Sequence, residues 1–204
     1  MLLKTKSIGT NSDRALLLDF QATLETKPEK AIKLEKDALA LIKEITEENA
    51  HLVSNLHSNL GGLYRMNGYP ALAREHMEKG LFLLEQYNLL YTNDSIPQIT
   101  NYAMLLTEQQ SPEKGISVLQ KVSKIIKEYN SDCNLDYATV QETLGIIYLM
   151  TANLPQAKTH FKRAFKIYEK IWADEPEMIE KKCQEIQELY PQVGFFLGQQ
   201  ISNF

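Results

Sequence analysis

Four histidines, two cysteines and a run of lysines are the residues of this 204-residue chain whose types could serve catalysis or metal binding. His51, His57, His76 and His160 include no pair spaced with a carboxylate in the H-E-x-x-H manner, which sets two imidazoles on one helix face beside a general base. His76 and His160 instead share one register of a recurring pattern, at a half-buried position that tolerates an imidazole. Cys133 and Cys183 make neither a metal-ligand cluster nor a disulfide framework. Neither has the basic neighbour and histidine that would activate a thiolate. Gly61-Gly62 is followed by no Lys-Ser/Thr pair and sits inside a helical pattern, so it is not a phosphate loop. Lys158, Lys162, Lys166 and Lys170 recur every four residues, interleaved with Glu169, and read as a solvated face rather than a basic stripe for an acidic partner. The reading is no enzyme, no metal and no cofactor.

Composition narrows the partners. A net charge of −4 leaves no electrostatic footprint for nucleic acid, and a hydrophobic content of 44% is enough for a continuous core. The N-terminus MLLKTKSIGTN lacks the apolar run of a signal peptide, and nothing approaches the ~18 apolar residues of a membrane span. A reducing, cytoplasmic setting is expected.

The elements that would position a site recur along the chain. Leu144-Gly145, Tyr148, a turn at Asn153-Leu154-Pro155, then Ala157, Phe161 and Ala164 describe two amphipathic helices packed as a hairpin. Small residues let the axes approach, and the large ones fill the space between. The pattern returns 42 residues earlier as Tyr102, Ala103, Leu106, Pro112, Gly115, Leu119 and Val122. It returns again as Leu60, Gly61, Tyr64, Pro70, Ala73, Met77 and Gly80, and once more as Leu18, Ala22, Pro28, Ala31 and Ala38. A fixed period of this size means a stacked array of helical hairpins.

The spacing predicts turns near 26–28, 67–70, 110–112 and 152–155. Thr26 is expected to cap a helix with Glu29 completing a capping box, Asn153 with Gln156 to repeat the device, and Asn67-Gly68 to turn before Pro70. A second ladder, Leu41, Leu83, Ile125 and Ile167, extends each second helix. The expected division is a lead-in at 1–11, repeats at 12–53, 54–95, 96–137 and 138–179, and a cap helix with an apolar tail at 180–204. Ile186, Leu189 and Tyr190 restart the pattern, while Gln187 in a small-residue place marks a face toward solvent. The tail Val193-Gly194-Phe195-Phe196-Leu197 is expected to fold back on the last hairpin, or else to dock on another chain and allow self-association. Asp19 and Glu35 depart from the small and aromatic residues expected at their places in the pattern.

Leu60-Gly61 with Tyr64, Ala73 and Gly80, and Leu144-Gly145 with Tyr148, Ala157, Phe161 and Ala164, resemble tetratricopeptide repeats. The usual repeat there has about 34 residues. This chain is similar to the longer variety of kinesin light chains and of sensor arrays in some bacterial regulators, over roughly residues 12 to 190. The resemblance implies an all-α, right-handed superhelical array, an α-solenoid of about four repeats plus a C-terminal cap helix. It also implies a non-enzymatic scaffold whose concave groove, lined by the first helix of each hairpin, binds an extended peptide. Asn59 and Asn101 stand where an asparagine of the kinesin-light-chain repeats bonds the peptide backbone; Thr143 and Leu17 take that place in the other hairpins. A carboxamide can hold a peptide unit without reading its side chain, because it both donates and accepts. Asn55, Ser58, Arg65, Met66, Thr100, Met104, Glu142 and Ile146 are the neighbouring groove candidates. The alternative function is the ligand-sensing portion of a larger bacterial regulator. An enzyme of the phosphatase type is a weaker third, since it would need an extra N-terminal bundle.

Overall fold

Proline and turn residues end the helices at the expected places. In the computed structural model, which describes residues 9–90, 92, 95–129 and 134–191, every regular element among the described residues is an α-helix. In order they are α1 (Asn11–Leu24), α2 (Pro28–Leu41), α3 (Glu47–Met66), α4 (Pro70–Gln86), α5 (Ile96–Glu108), α6 (Pro112–Tyr129), α7 (Leu135–Met150), α8 (Leu154–Ile171) and α9 (Pro176–Leu189). The breaks before α2, α4, α6 and α8 are the four predicted turns. The chain divides into two compact units between Leu105 and Leu106.

In the first unit α1 packs on α2 and α3 on α4. An added Cβ at Gly61 would lie 2.5 Å from Met77 Cγ and 3.1 Å from the Ala73 carbonyl oxygen, so glycine is what lets α3 and α4 cross there. Leu60, Tyr64, Ala73 and Met77 are buried around that crossing, joined by Leu105 of α5. Gln98 of α5 ties back to α3. Its Nε2 donates to Asn55 Oδ1 at 2.6 Å, and its Oε1 accepts from Ser54 Oγ at 2.6 Å.

The second unit repeats the arrangement with α7 and α8. A Cβ at Gly145 would meet the Phe161 ring at 3.1 Å, and Ala157, Phe161, Ala164 and Tyr168 are buried beside it. Cys183 and Ile186 of α9 enter the same cluster, with Trp172 and Tyr190 packed against it. Tyr168 stacks on Trp172 with centroids 4.7 Å apart, and its hydroxyl donates to Glu142 Oε2 at 2.6 Å. Lys182 reaches Glu142 Oε1 from α9 at 3.0 Å, so one carboxylate binds α7, α8 and α9 together. Burial, with Glu180 and Glu169 nearby, pushes the Cys183 thiol up to about 11, which leaves it unreactive at neutral pH.

The period is also written in the backbone. Gly68, Gln110 and Ala152, spaced like the side-chain pattern, all have left-handed φ values of 76°, 59° and 58°. After each, the next N–H reaches back to a carbonyl five residues earlier: Tyr69 to Tyr64 at 2.9 Å, Ser111 to Leu106 at 2.9 Å, and Asn153 to Tyr148 at 2.7 Å. This is the helix-ending bond that a left-handed residue allows. Asn153 then caps α8, its side chain accepting from Gln156 N, which is the Asn153 half of the expected capping box.

The first hairpin departs from the expectation. Thr26 does not cap α2. Pro28 is the first helical residue, so the cap position falls on Lys27, whose side chain makes no cap bond. Glu25 Oε1 instead accepts from Lys27 N at 3.0 Å. Cys133 and the apolar tail Val193–Leu197 lie outside the described residues.

Two substitutions check this packing by urea unfolding. Gly145→Leu should cost about 1–3 kcal/mol, because Phe161 is fully buried and has nowhere to go, while the half-buried Gln187→Leu should change stability little. Ala152→Gly should stabilise by about 1 kcal/mol by relieving a side chain held at positive φ.

Candidate functional site

The asparagines singled out from the sequence sit in different surroundings. Asn101, on α5, is exposed. Asn59, on α3, is half-buried, and its Nδ2 donates to Asp19 Oδ1 on α1 at 2.7 Å. Asn55 accepts from Gln98 and meets His51 Nδ1 through its Nδ2 at 3.3 Å. Ser58 is buried. Met66 is 82% exposed, and Met104 is half-buried. Arg65 is half-buried and engaged within the protein. Thr100 bonds the Pro97 carbonyl on its own helix at 3.0 Å.

In the second unit, Thr143 likewise turns inward, donating to the Thr139 carbonyl at 2.9 Å. Glu142 is the buried link between helices described above. Ile146 is half-buried against the α7–α8 core. The first unit therefore brings together α3 and α5, with Asn101 and Met66 exposed and Asn59 already holding an internal bond.

The partner of Asn59 explains the two residues that broke the sequence pattern. Asp19 stands at the register of Gly61, and Glu35 at the register of Met77. The small/large pair that crosses the second hairpin is thus replaced in the first by two carboxyl groups. Glu35 is 1% exposed, and its Oε2 has no hydrogen-bond partner among the described residues. Burial raises its pKa to about 8, helped by the charge of Asp19 and by a bond to it, and opposed by Asn59. At neutral pH Glu35 is mainly the neutral acid.

Two imidazole pairings also recur. His57 Nδ1 lies 2.9 Å from His76 Nδ1, so one ring donates and the other accepts. In the fourth hairpin, Gln141 and His160 stand at the registers of His57 and His76, with His160 Nδ1 at 2.9 Å from Gln141 Oε1. Burial lowers both His57 and His160 to about 4, with nearby cationic charge adding to it: His76 and Lys79 for the first, Arg163 for the second. The shared register of His76 and His160 was legible in sequence; their partners were not. Among the described residues no group of three or more His, Cys, Asp or Glu could hold a metal ion, and no helix is long and apolar enough to cross a membrane.

Hairpins closed by small-residue crossings and capped by a further helix define an all-α repeat array. Residues 95–170 match the family model described as tetratricopeptide repeat. No curated protein sequence matches the chain significantly. Among solved structures, BtubC (BKLC) from P. vanneervenii is similar at a TM-score of 0.70 and 19% identity, covering 91% of this chain and 74% of that one. A candidate kinesin light chain of Podosopora anserina with nearly identical TPR-like repeats is similar at a TM-score of 0.64 and 14% identity, covering 83% of this chain and 82% of that one. The family matched over residues 95–170 and the fold shared with these structures agree with the resemblance seen in the sequence. The fold generally mediates protein–protein interaction.

These groups set the pH dependence of stability. Glu35 binds its proton more tightly folded than unfolded, so its contribution is complete below about pH 4.5 and is lost as pH rises through 8. His57 and His160 bind protons less tightly when folded, so stability is lost as pH falls from about 6.5 toward 4. Below pH 6.5 the two histidines outweigh the single carboxyl, and a maximum near pH 6.5 is expected in urea midpoints measured from pH 5 to 9. Asp19→Ala with Glu35→Leu copies the third hairpin's Ala103 and Leu119; it should flatten the alkaline limb and steepen the acid limb, which the histidines then set unopposed.

Proposed function

We propose that the chain is a non-enzymatic scaffold that binds an extended polypeptide segment along the first helices of its hairpins, in the groove of a four-repeat array divided as at 12–53, 54–95, 96–137 and 138–179. The observation that carries this reading is Asn101. Its carboxamide is exposed on α5, with the exposed side chain of Met66 on α3 of the same unit. Such an amide offers one donor and one acceptor to a peptide unit, and the methionines offer adaptable apolar contact. Asn59 supports the same surface from α3, but a ligand has to compete with Asp19 for its Nδ2.

That competition sets the order of effects. A net hydrogen bond contributes about 0.5–1.5 kcal/mol, so Asn101→Ala should weaken a peptide selected from a displayed library by roughly two- to twelvefold. Asn59→Ala should cost less in binding than Asn101→Ala, because its internal bond is surrendered first. Charge reversal at the exposed Lys158 and Lys162 should leave affinity unchanged. Fluorescence titration of the selected peptide decides it: binding lost with the lysine pair and kept with both asparagine variants would move the site off this surface.

A further inference from the structure

A polar recess lies in the second unit. It is a cleft of about 510 Å³, floored by α7 and walled by α6 and α8. Gln120 and Ser123 line it from α6, Tyr137 and Gln141 from α7, and His160 and Arg163 from α8. Neither aspartate nor glutamate is among its lining residues.

Its back wall is fixed by a chain of bonds. Gln141 Nε2 donates to Ser123 Oγ at 2.9 Å, which leaves its Oε1 to accept from His160 Nδ1 at 2.9 Å. His160 stacks on Tyr148 with centroids 5.3 Å apart and rings 18° from parallel. All three bonded groups are thereby committed inward, and the imidazole is neutral at physiological pH.

Arg163 is different. It is exposed, lines the cleft, and has no ion-pair partner among the described residues. The equivalent place in the second hairpin is Lys79, which is already paired with Glu75 at 2.6 Å. Thr159 stands at the register of Glu75, so the fourth hairpin has lost the internal counter-ion while keeping the cation.

We propose that this cleft binds a single carboxylate, that of an acidic side chain in a partner polypeptide, with Arg163 as its counter-ion and the exposed Gln120 carboxamide bonding the adjoining backbone. One guanidinium beside a neutral imidazole matches one negative charge. A phosphate dianion would ask for a second cation, which the lining lacks. The proposal does not rest on the asparagine surface.

The test uses the full isotope-labelled chain and short blocked peptides, followed by NMR at the Tyr137 and His160 signals. Acetyl-Ala-Glu-Ala-amide should shift both signals and bind roughly tenfold or more tightly than its Gln counterpart. Arg163→Gln should erase that difference, whereas Lys162→Gln on the same helix should keep it, with unchanged thermal unfolding in both. Equal binding of the two peptides, a preference that survives Arg163→Gln, or no shift at millimolar peptide would overturn the assignment. Tighter binding of the phosphoserine peptide than of the glutamate peptide would overturn the carboxylate, and equal binding of free glutamate would overturn the polypeptide.

Discussion

The crossing of two helices at less than a side chain's width is the constraint on which the rest of the structure depends. At Gly61 and Gly145 there is no room for a Cβ without moving Met77 or Phe161, both fully buried. Close approach lets one large residue from the second helix cover the backbone of the first, and dispersion contacts then come from all sides of that residue. Everything outward of the crossing inherits its geometry, including the recurring turn and the helix-ending left-handed residue.

The first hairpin shows what happens when that constraint is met with other chemistry. Asp19 and Glu35 fill the crossing with two carboxyl groups instead of a void and a large apolar side chain. The burial of Glu35 costs its charge, so the pair persists with Glu35 protonated and Asn59 turned to Asp19. Replacing such buried polar groups by packed apolar residues is often neutral or stabilising. What the polar version adds is a connection between α1, α2 and α3 that responds to protons.

The same register logic runs through the imidazoles. His57 with His76, and Gln141 with His160, are two solutions to one position, each closing a polar gap between the helices of a hairpin. Their difference lies in the charges beside them. The second hairpin satisfies its neighbouring cation with Glu75, and the fourth leaves Arg163 to the solvent side of a polar cleft.

The array was legible in the sequence because its period, its prolines and its small residues act locally. A Pro at a helix start and a Gly at a crossing carry the same meaning wherever the chain puts them. Gly68 announced its turn; Gln110 and Ala152, with side chains that disfavour positive φ, gave no local sign of the same conformation. Thr26 looked like a cap but lay one residue too early for a helix that Pro28 begins.

The candidate site was legible only as a set of positions. That Asn101 stands open while Asn59 is held by Asp19 depends on a partner 40 residues away on another helix. Glu142, placed among the groove candidates by register, is claimed by Tyr168 and Lys182 from two further helices. Sequence by itself determined which residues share a helix face, since that follows from 3.6 residues per turn. Which of those faces keeps a free polar group was decided by tertiary structure alone, because a buried donor or acceptor takes whatever partner packing brings within about 3 Å.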